Sequence, residues 1–191
     1  MSDGERIRAG LDALAEAAGR AAARSELLEP IVSAMRACLA GGGTIYFAGN
    51  GGSAADAQHL ATEYVVRYSA DQRRPLRAIA LTTDSSALTA AGNDFGFQEI
   101  FARQLEALAR PGDLLMVHST SGNSTNLVEA VERARNLGVT TTALLGGDGG
   151  ALASLVDHAF VVQDDRVNHI QELHLAIEHQ IAAILTAELA G

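Results

Sequence analysis

Two residues able to do chemistry, His59 and Glu63, lie four positions apart in a segment whose Ala, Asp, Gln and Leu content favours helix. Residues at i and i+4 lie on one face of a helix, about one turn apart, so the imidazole and the carboxylate can share a metal ion or a substrate proton. The same spacing also occurs in solvated pairs on helix surfaces. The spacing alone therefore leaves a site and a surface pair open.

A glycine turn at 49–52 leads into this helix from a short apolar strand predicted at 44–48. Glycine permits positive φ and a close approach of the backbone to a ligand. Ser53 is predicted to be the helix N-cap, and the helix dipole favours an anion above the turn. The turn lacks the Rossmann GxGxxG pattern, and a P-loop is excluded because all 14 basic residues are Arg. A purely geometric role for the glycines stays open.

A second loop of small polar residues, at 119–125, follows an apolar strand predicted at 114–118 and precedes a predicted helix that ends near Leu137. Hydroxyl and backbone N–H groups at a helix N-terminus can surround a phosphate without any cation. A loop that only caps the helix is the alternative. Two such loops in one small domain favour a phosphorylated ligand at the carboxyl ends of the strands.

Strands and helices alternate along the chain. Besides the two strands above, we predict strands at 78–82, 140–145 and 159–162, with helices in most of the intervals. Such alternation predicts right-handed crossovers and a five-stranded parallel sheet between two helical layers, a flavodoxin- or Rossmann-like α/β sandwich. We predict one domain over 1–191, in which N-terminal helices (1–39) precede the α/β core (40–191). The glycine-rich segment at 146–150 is interpreted as a turn; a phosphate loop is the less favoured alternative, because the segment lacks the hydroxyl groups of the other loop.

Composition limits the classes of partner. The chain has 191 residues and a net charge of −9, which argues against a nucleic-acid-binding surface. Arg73, Arg74 and Arg77 cluster, but three arginines are more typical of a solvated or inter-subunit feature. The single cysteine, Cys38, is predicted to pack as a small hydrophobe in a reducing compartment. Neither a secretory signal nor a membrane span is evident, so we expect a cytoplasmic protein with no membrane partner.

The N-terminal helices carry apolar residues at helical spacing at 4–24 and at 25–39. The first helix precedes the sheet and would expose an apolar stripe in a monomer. We therefore predict that it packs against another subunit.

Four segments together identify a family. In this order and spacing, GNGGSAADAQHLATEYV, AIALTTDSSALTAAGNDFGFQEIFARQL, HSTSGNSTN and IQELHLAIEH resemble the phosphoheptose isomerases, which are SIS-domain (sugar isomerase) proteins. The match runs from about Ala40 to Leu185. The resemblance implies conversion of D-sedoheptulose 7-phosphate to D-glycero-D-manno-heptose 7-phosphate through an enediol(ate), the first step towards ADP- or GDP-heptose precursors of glycans such as lipopolysaccharide. It also implies one Zn²⁺ per subunit and a homotetramer with active sites between subunits.

The resemblance implies a role for each matching residue. Metal ligation falls on His59, Glu63, Gln171 and His179, with Glu63 as the base and His179 as its acid/base partner. The sugar is held by Asn50, Gly51, Gly52, Asn93, Asp94 and Gln171, and the phosphate by Ser119, Thr120, Ser121 and Ser124. Asp56 is expected to orient site groups. His118, His158 and His169 are interpreted as structural, and His174 and Glu178 as structural or surface groups.

Helix geometry limits this ligand set. Gln171 and His179 are eight residues apart, which corresponds to about 12 Å of helix rise, so they cannot easily hold one ion together. We therefore expect one of them to come from a neighbouring subunit. The chain also departs from the family at Val167, where a Thr is usual, and at His169, where a basic residue is usual.

Two alternative functions remain from other classes. SIS tetramers that associate with replication initiators share the GNGGSAA loop but serve as scaffolds, and a sugar-phosphate sensor would keep only the hydroxyl loop. The presence here of His59, Glu63, Gln171 and His179 together favours the enzyme.

Overall fold

A computed structural model describes residues 1–71 and 74–190. Within these ranges five strands form one sheet in the order β2-β1-β3-β4-β5, and every neighbouring pair is parallel. This is the flavodoxin-like order, and the predicted α/β class is confirmed. The strands are β1 (Ile45–Gly49), β2 (Ala78–Ala80), β3 (Leu114–Ser119), β4 (Thr140–Gly146) and β5 (His158–Val162).

Helices occupy most of the intervals, as predicted. The helices are α1 (Asp3–Ala22), α2 (Glu29–Ala40), α3 (Gly52–Val65), α4 (Ser85–Asp94), α5 (Ala102–Leu108), α6 (Thr125–Asn136), α7 (Leu152–Leu155) and α8 (Val167–Leu189). Short 3₁₀ turns at Ser25–Leu28 and Phe97–Glu99 connect neighbouring helices. In the part of the chain that the structure describes, no helix is long and apolar enough to cross a membrane.

The sheet separates two apolar cores. Successive residues of a strand point to opposite faces, so Leu114 and Met116 pack with α2, α3 and α8, whereas Leu115 and Val117 pack with α5 and α6. β3 is buried along its whole length, as expected for the central strand of a parallel sheet covered on both faces. The carboxyl ends of β1 and β3, from which the two polar loops leave, therefore lie side by side.

Local details refine the sequence predictions. The prediction that Ser53 caps α3 is wrong, because Gly51 turns the chain at φ 58° and the helix begins at Gly52. Cys38 is buried, which raises the pKa of its thiol to about 12 and confirms it as a core residue. Arg73 of the predicted arginine cluster lies outside the described residues. The single-domain boundary at 1–191 stays a prediction.

Candidate active site

His59, Glu63 and His179 come together between α3 and α8. The Nε2 atoms of the two imidazoles are 2.9 Å apart, and His59 Nε2 lies 3.3 Å from Glu63 Oε1. One ligand atom from each residue lies within 4.8 Å of the others. Two imidazole nitrogens this close share either a proton or a cation, and two nitrogens with a carboxylate form a donor set that suits Zn²⁺. The cluster therefore fits a metal ion.

Gln171 lies near the start of α8, beside the first residue of α3. A Cβ added to Gly52 would lie 2.7–2.8 Å from the Gln171 side-chain amide, so α3 and α8 begin close together. His59 and His179 follow about two turns later, roughly 10 to 12 Å along the helix axes. Within one chain, Gln171 therefore lies beside the glycine turn, while His179 belongs to the cluster with His59 and Glu63.

A small cavity lies where the two polar loops meet the start of α8. Its volume is about 50 Å³, and it combines the glycine turn, the hydroxyl loop and Gln171, which the sequence places far apart. Seven of its eight lining residues carry polar side chains able to hydrogen-bond a sugar phosphate. The lining residues are Asn50, Ser53, His118, Ser119, Thr120, Ser124, Leu127 and Gln171.

The two loops are joined by a pair of amides. Asn50 Nδ2 donates to Asn126 Oδ1 at 2.9 Å, and Asn126 Nδ2 donates back to Asn50 Oδ1 at 2.8 Å. Ser119 Oγ also accepts a hydrogen bond of 3.0 Å from the Gly122 backbone N–H. Asn126 is buried and was not among the predicted site residues. Its position in the first turn of α6, directly after the hydroxyl loop, was the available signal.

Five predicted substrate residues lie outside the cavity lining: Gly51, Gly52, Asn93, Asp94 and Ser121. Asn93 and Asp94 lie at the end of α4, where Asn93 Nδ2 donates to Asp94 Oδ1 at 2.7 Å in an exposed position. Gly51 provides the positive φ before α3, and Ser121 Oγ accepts from the Asn123 backbone N–H at 3.3 Å. Their contacts with the substrate stay predictions.

A buried polar pair, His118 and Glu178, lies beneath the cavity. His118 Nε2 and Glu178 Oε1 are 3.4 Å apart, and both side chains are 0% exposed. Next to them, His174 Nε2 donates to the Leu145 carbonyl at 3.1 Å, and burial lowers the pKa of His174 to about 3 with a smaller contribution from His118. The structural interpretation of His174 and Glu178 is therefore confirmed and the surface one is wrong. The signal was their position on the apolar stripe of α8.

Asp56, which is expected to orient site groups, is partly buried, and that role stays a prediction. Burial raises the pKa of Asp56, against the smaller opposing effects of His118 and His59. His169 is buried, with its Nδ1 3.7 Å from Asp164 Oδ2, which also binds Arg20. The structural interpretation of His169 is therefore confirmed.

Val167, the other departure from the family, and His158 are not among the residues that line the cavity. Val167 is 56% exposed at the first position of α8. His158 lies at the amino end of β5, whereas the cavity lies at the carboxyl ends of the strands.

Known proteins are similar to this chain in sequence and in fold. The SIS domain family matches residues 11–146. A phosphoheptose isomerase from Solidesulfovibrio magneticus is 51% identical over 161 residues, which cover 84% of this chain and 78% of that protein. Solved structures of phosphoheptose isomerases from Neisseria gonorrhoeae and Francisella tularensis match with TM-scores of 0.91 and 0.93 at 39% and 36% identity. These matches cover 97% and 98% of this chain and 100% of each solved chain.

Proposed function

The chain belongs to the phosphoheptose isomerases of the SIS-domain proteins, and from this premise we propose which of its residues carry out the reaction. The enzyme is an aldose–ketose isomerase that interconverts D-sedoheptulose 7-phosphate and D-glycero-D-manno-heptose 7-phosphate. One observation supports this assignment of residues. His59, Glu63 and His179 cluster on α3 and α8, and the same two helices begin at the small polar cavity.

Glu63 is the proposed base. Isomerisation of the ketose removes a proton from C1 and returns it to C2 through an enediol(ate). At the same time O2 gains a proton and O1 loses one, which requires a second group close to the base. His179 belongs to the same cluster as Glu63, since each has a ligand atom within 4.8 Å of the other's. We therefore assign the carbon-bound proton to Glu63 and the oxygen-bound protons to His179.

His59, Glu63 and His179 are the proposed in-chain ligands of Zn²⁺, and Gln171 of a second subunit is the proposed fourth ligand. The nitrogen and oxygen donors suit this ion, and the separation of Gln171 from His179 along α8 supports a shared site. Bound Zn²⁺ would supply Lewis-acid polarisation of the sugar carbonyl. The Gln171 of the same chain is assigned to the sugar at the glycine turn, which its amide contacts at Gly52.

The phosphate is assigned to the hydroxyl loop. Ser119, Thr120 and Ser124 line the cavity at the start of α6, where backbone N–H groups and the helix dipole favour an anion. Asn50, which lines the cavity, and Gly52, which lies against the Gln171 side-chain amide, are assigned to the sugar. The hydroxyl loop is preferred to the glycine turn for the phosphate, because it offers more hydrogen-bond donors.

A homotetramer with sites between subunits is the proposed assembly. Ile7 and Leu11 of α1 are 64% and 62% exposed, and an apolar groove of about 690 Å³ runs between α1, α2 and α8. Exposed apolar surface of this kind marks an interaction site. Asn93 and Asp94, which lie outside the cavity of their own chain, are assigned to the site of a neighbouring subunit. The cytoplasmic location stays a prediction.

The function is tested by incubating the protein with sedoheptulose 7-phosphate and following the aldose product by NMR. We expect conversion by the metal-replete protein and a loss of at least about 100-fold after chelation, because Lewis-acid assistance is worth several kcal/mol. Added Zn²⁺ should restore activity. A metal-replete, folded protein that converts no substrate would instead favour the scaffold or sensor functions, which the relatives do not favour.

The shared site is tested by mixing inactive subunits. If Gln171 and His179 of one working site come from different chains, co-assembled Gln171→Ala and His179→Ala subunits should regain about one quarter of wild-type activity by random pairing. Each variant alone should stay inactive. A mixture of wild type with the double variant provides the control for assembly. Mixed Gln171→Ala/His179→Ala oligomers without activity would show that both residues are needed from one chain.

A further inference from the structure

The loop at 146–151, between β4 and α7, packs directly against the hydroxyl loop. Ala151 N–H donates to Asn123 Oδ1 at 2.9 Å, and Leu152 N–H donates to the Gly122 carbonyl at 3.0 Å. Asn123 Nδ2 in turn donates to the Ser121 carbonyl at 2.9 Å. The side chain of Asn123 therefore ties the middle of the hydroxyl loop to the loop of the next strand.

Two glycines allow this contact. A Cβ on Gly150 would lie 2.5 Å from the Ser121 carbonyl oxygen and 2.6 Å from Asn123 Nδ2. A Cβ on Gly122 would collide with the backbone of Gly149. Real Cβ atoms do not approach other atoms this closely, so the two backbones can touch only where glycine stands on both sides. Glycine is therefore needed in this loop for its close contact with the hydroxyl loop, and not only for a turn.

We propose that the loop at 146–151, here called the brace, holds the hydroxyl loop in place and so sets the shape of the phosphate pocket. Gly150 of the brace and Asn123 of the hydroxyl loop are the positioning residues. The inference rests on the proposed assignment of the phosphate to 119–124. Ser119, Thr120 and Ser124 must aim several donors at one phosphate, and a loop of six small residues would otherwise sample many conformations. The brace holds the loop in one of them. Neither Asn123 nor Gly150 is needed to touch the substrate.

The sequence offers a matched control for Gly150. Gly147 belongs to the same loop and has a similar positive φ, 61° against 54° for Gly150, but a Cβ on Gly147 would meet nothing within 4 Å. Alanine at either position strains the backbone to a similar degree. Only alanine at Gly150 also pushes against Ser121 and Asn123. A difference between the two variants therefore reports the contact between the loops.

The test measures KM and kcat for sedoheptulose 7-phosphate and the inhibition constant of inorganic phosphate. We expect Gly150→Ala and Asn123→Ala to raise KM and the phosphate inhibition constant at least about 10-fold, with kcat changed less than about 3-fold, because they disturb phosphate binding and leave Glu63 in place. Gly147→Ala should lower the melting temperature through its backbone strain alone, less than Gly150→Ala does, and leave KM unchanged. Asn123→Ala requires no special backbone conformation, so it keeps the test available if Gly150→Ala does not fold.

Ser119→Ala and Ser124→Ala separate this inference from the assignment of the phosphate. If both serine variants leave KM unchanged, the assignment of the phosphate is wrong and the brace falls with it. If the serine variants raise KM while Gly150→Ala and Asn123→Ala behave like Gly147→Ala, only the brace is wrong. An equal fall of kcat in Gly150→Ala and Gly147→Ala would likewise mean that the loop serves the fold alone.

Discussion

Replacement of Glu63 by Gln is expected to lower kcat for the isomerisation of sedoheptulose 7-phosphate by at least about 1,000-fold, because the amide cannot accept the proton from C1. The fold should stay intact. Gln has nearly the same shape, and the contact of Glu63 with His59 lies on a partly exposed pair of side chains. The variant should also stop incorporating solvent deuterium at C1 and C2 of the sugar, which reports the proton transfer itself.

A second measurement separates the base from the metal ligand, since Glu63 is proposed for both roles. Metal content is measured in Glu63→Gln and in His59→Ala, and activity is measured at saturating Zn²⁺. If Glu63 is the base, Glu63→Gln should be inactive even when it is fully loaded with Zn²⁺. His59→Ala should instead regain part of its activity as the Zn²⁺ concentration rises. Glu172→Gln removes an exposed carboxylate from α8 and should change neither quantity. A Glu63→Gln variant with wild-type turnover would eliminate the proposed base.

Removal of one partner of the buried pair is expected to destabilise the protein by about 3 to 5 kcal/mol, because it leaves the other polar group buried and uncompensated. His118→Leu and Glu178→Leu each do this at positions that are 0% exposed. The double variant should recover most of the loss, since an apolar pair of similar volume is often neutral or stabilising. Chemical denaturation at one fixed subunit concentration measures the three variants against the wild type.

A double-mutant cycle gives the coupling between the two side chains directly. We expect a large coupling free energy. The double variant should lose less unfolding free energy than the two single variants lose together. Single variants that cost less than about 1 kcal/mol would mean that buried water or other groups already satisfy the partner that remains. His158→Leu is the comparison. His158 is a partly buried histidine at the amino end of β5 and does not belong to the buried pair.

Much of the fold could be predicted because its signals are local. Predicted segments of four to six residues located the five strands of the sheet, although β2 is two residues shorter than predicted, and the alternation with helices predicted the parallel sheet. Glycine in the 49–52 turn and hydroxyl residues after β3 marked both loops that meet at the cavity. The error at Ser53 was also local, because the positive φ of Gly51 starts the helix two residues earlier than predicted.

The strands, the two loops and the family could be predicted without the structure, since they depend on patterns within one segment or on whole motifs. Which segments meet depends on the tertiary packing. His59 and His179 are 120 residues apart and touch because α3 packs on α8. The same packing sends Gln171 to the glycine turn and buries Glu178 against His118. Such contacts depend on the direction and register of packed helices, which no local pattern encodes.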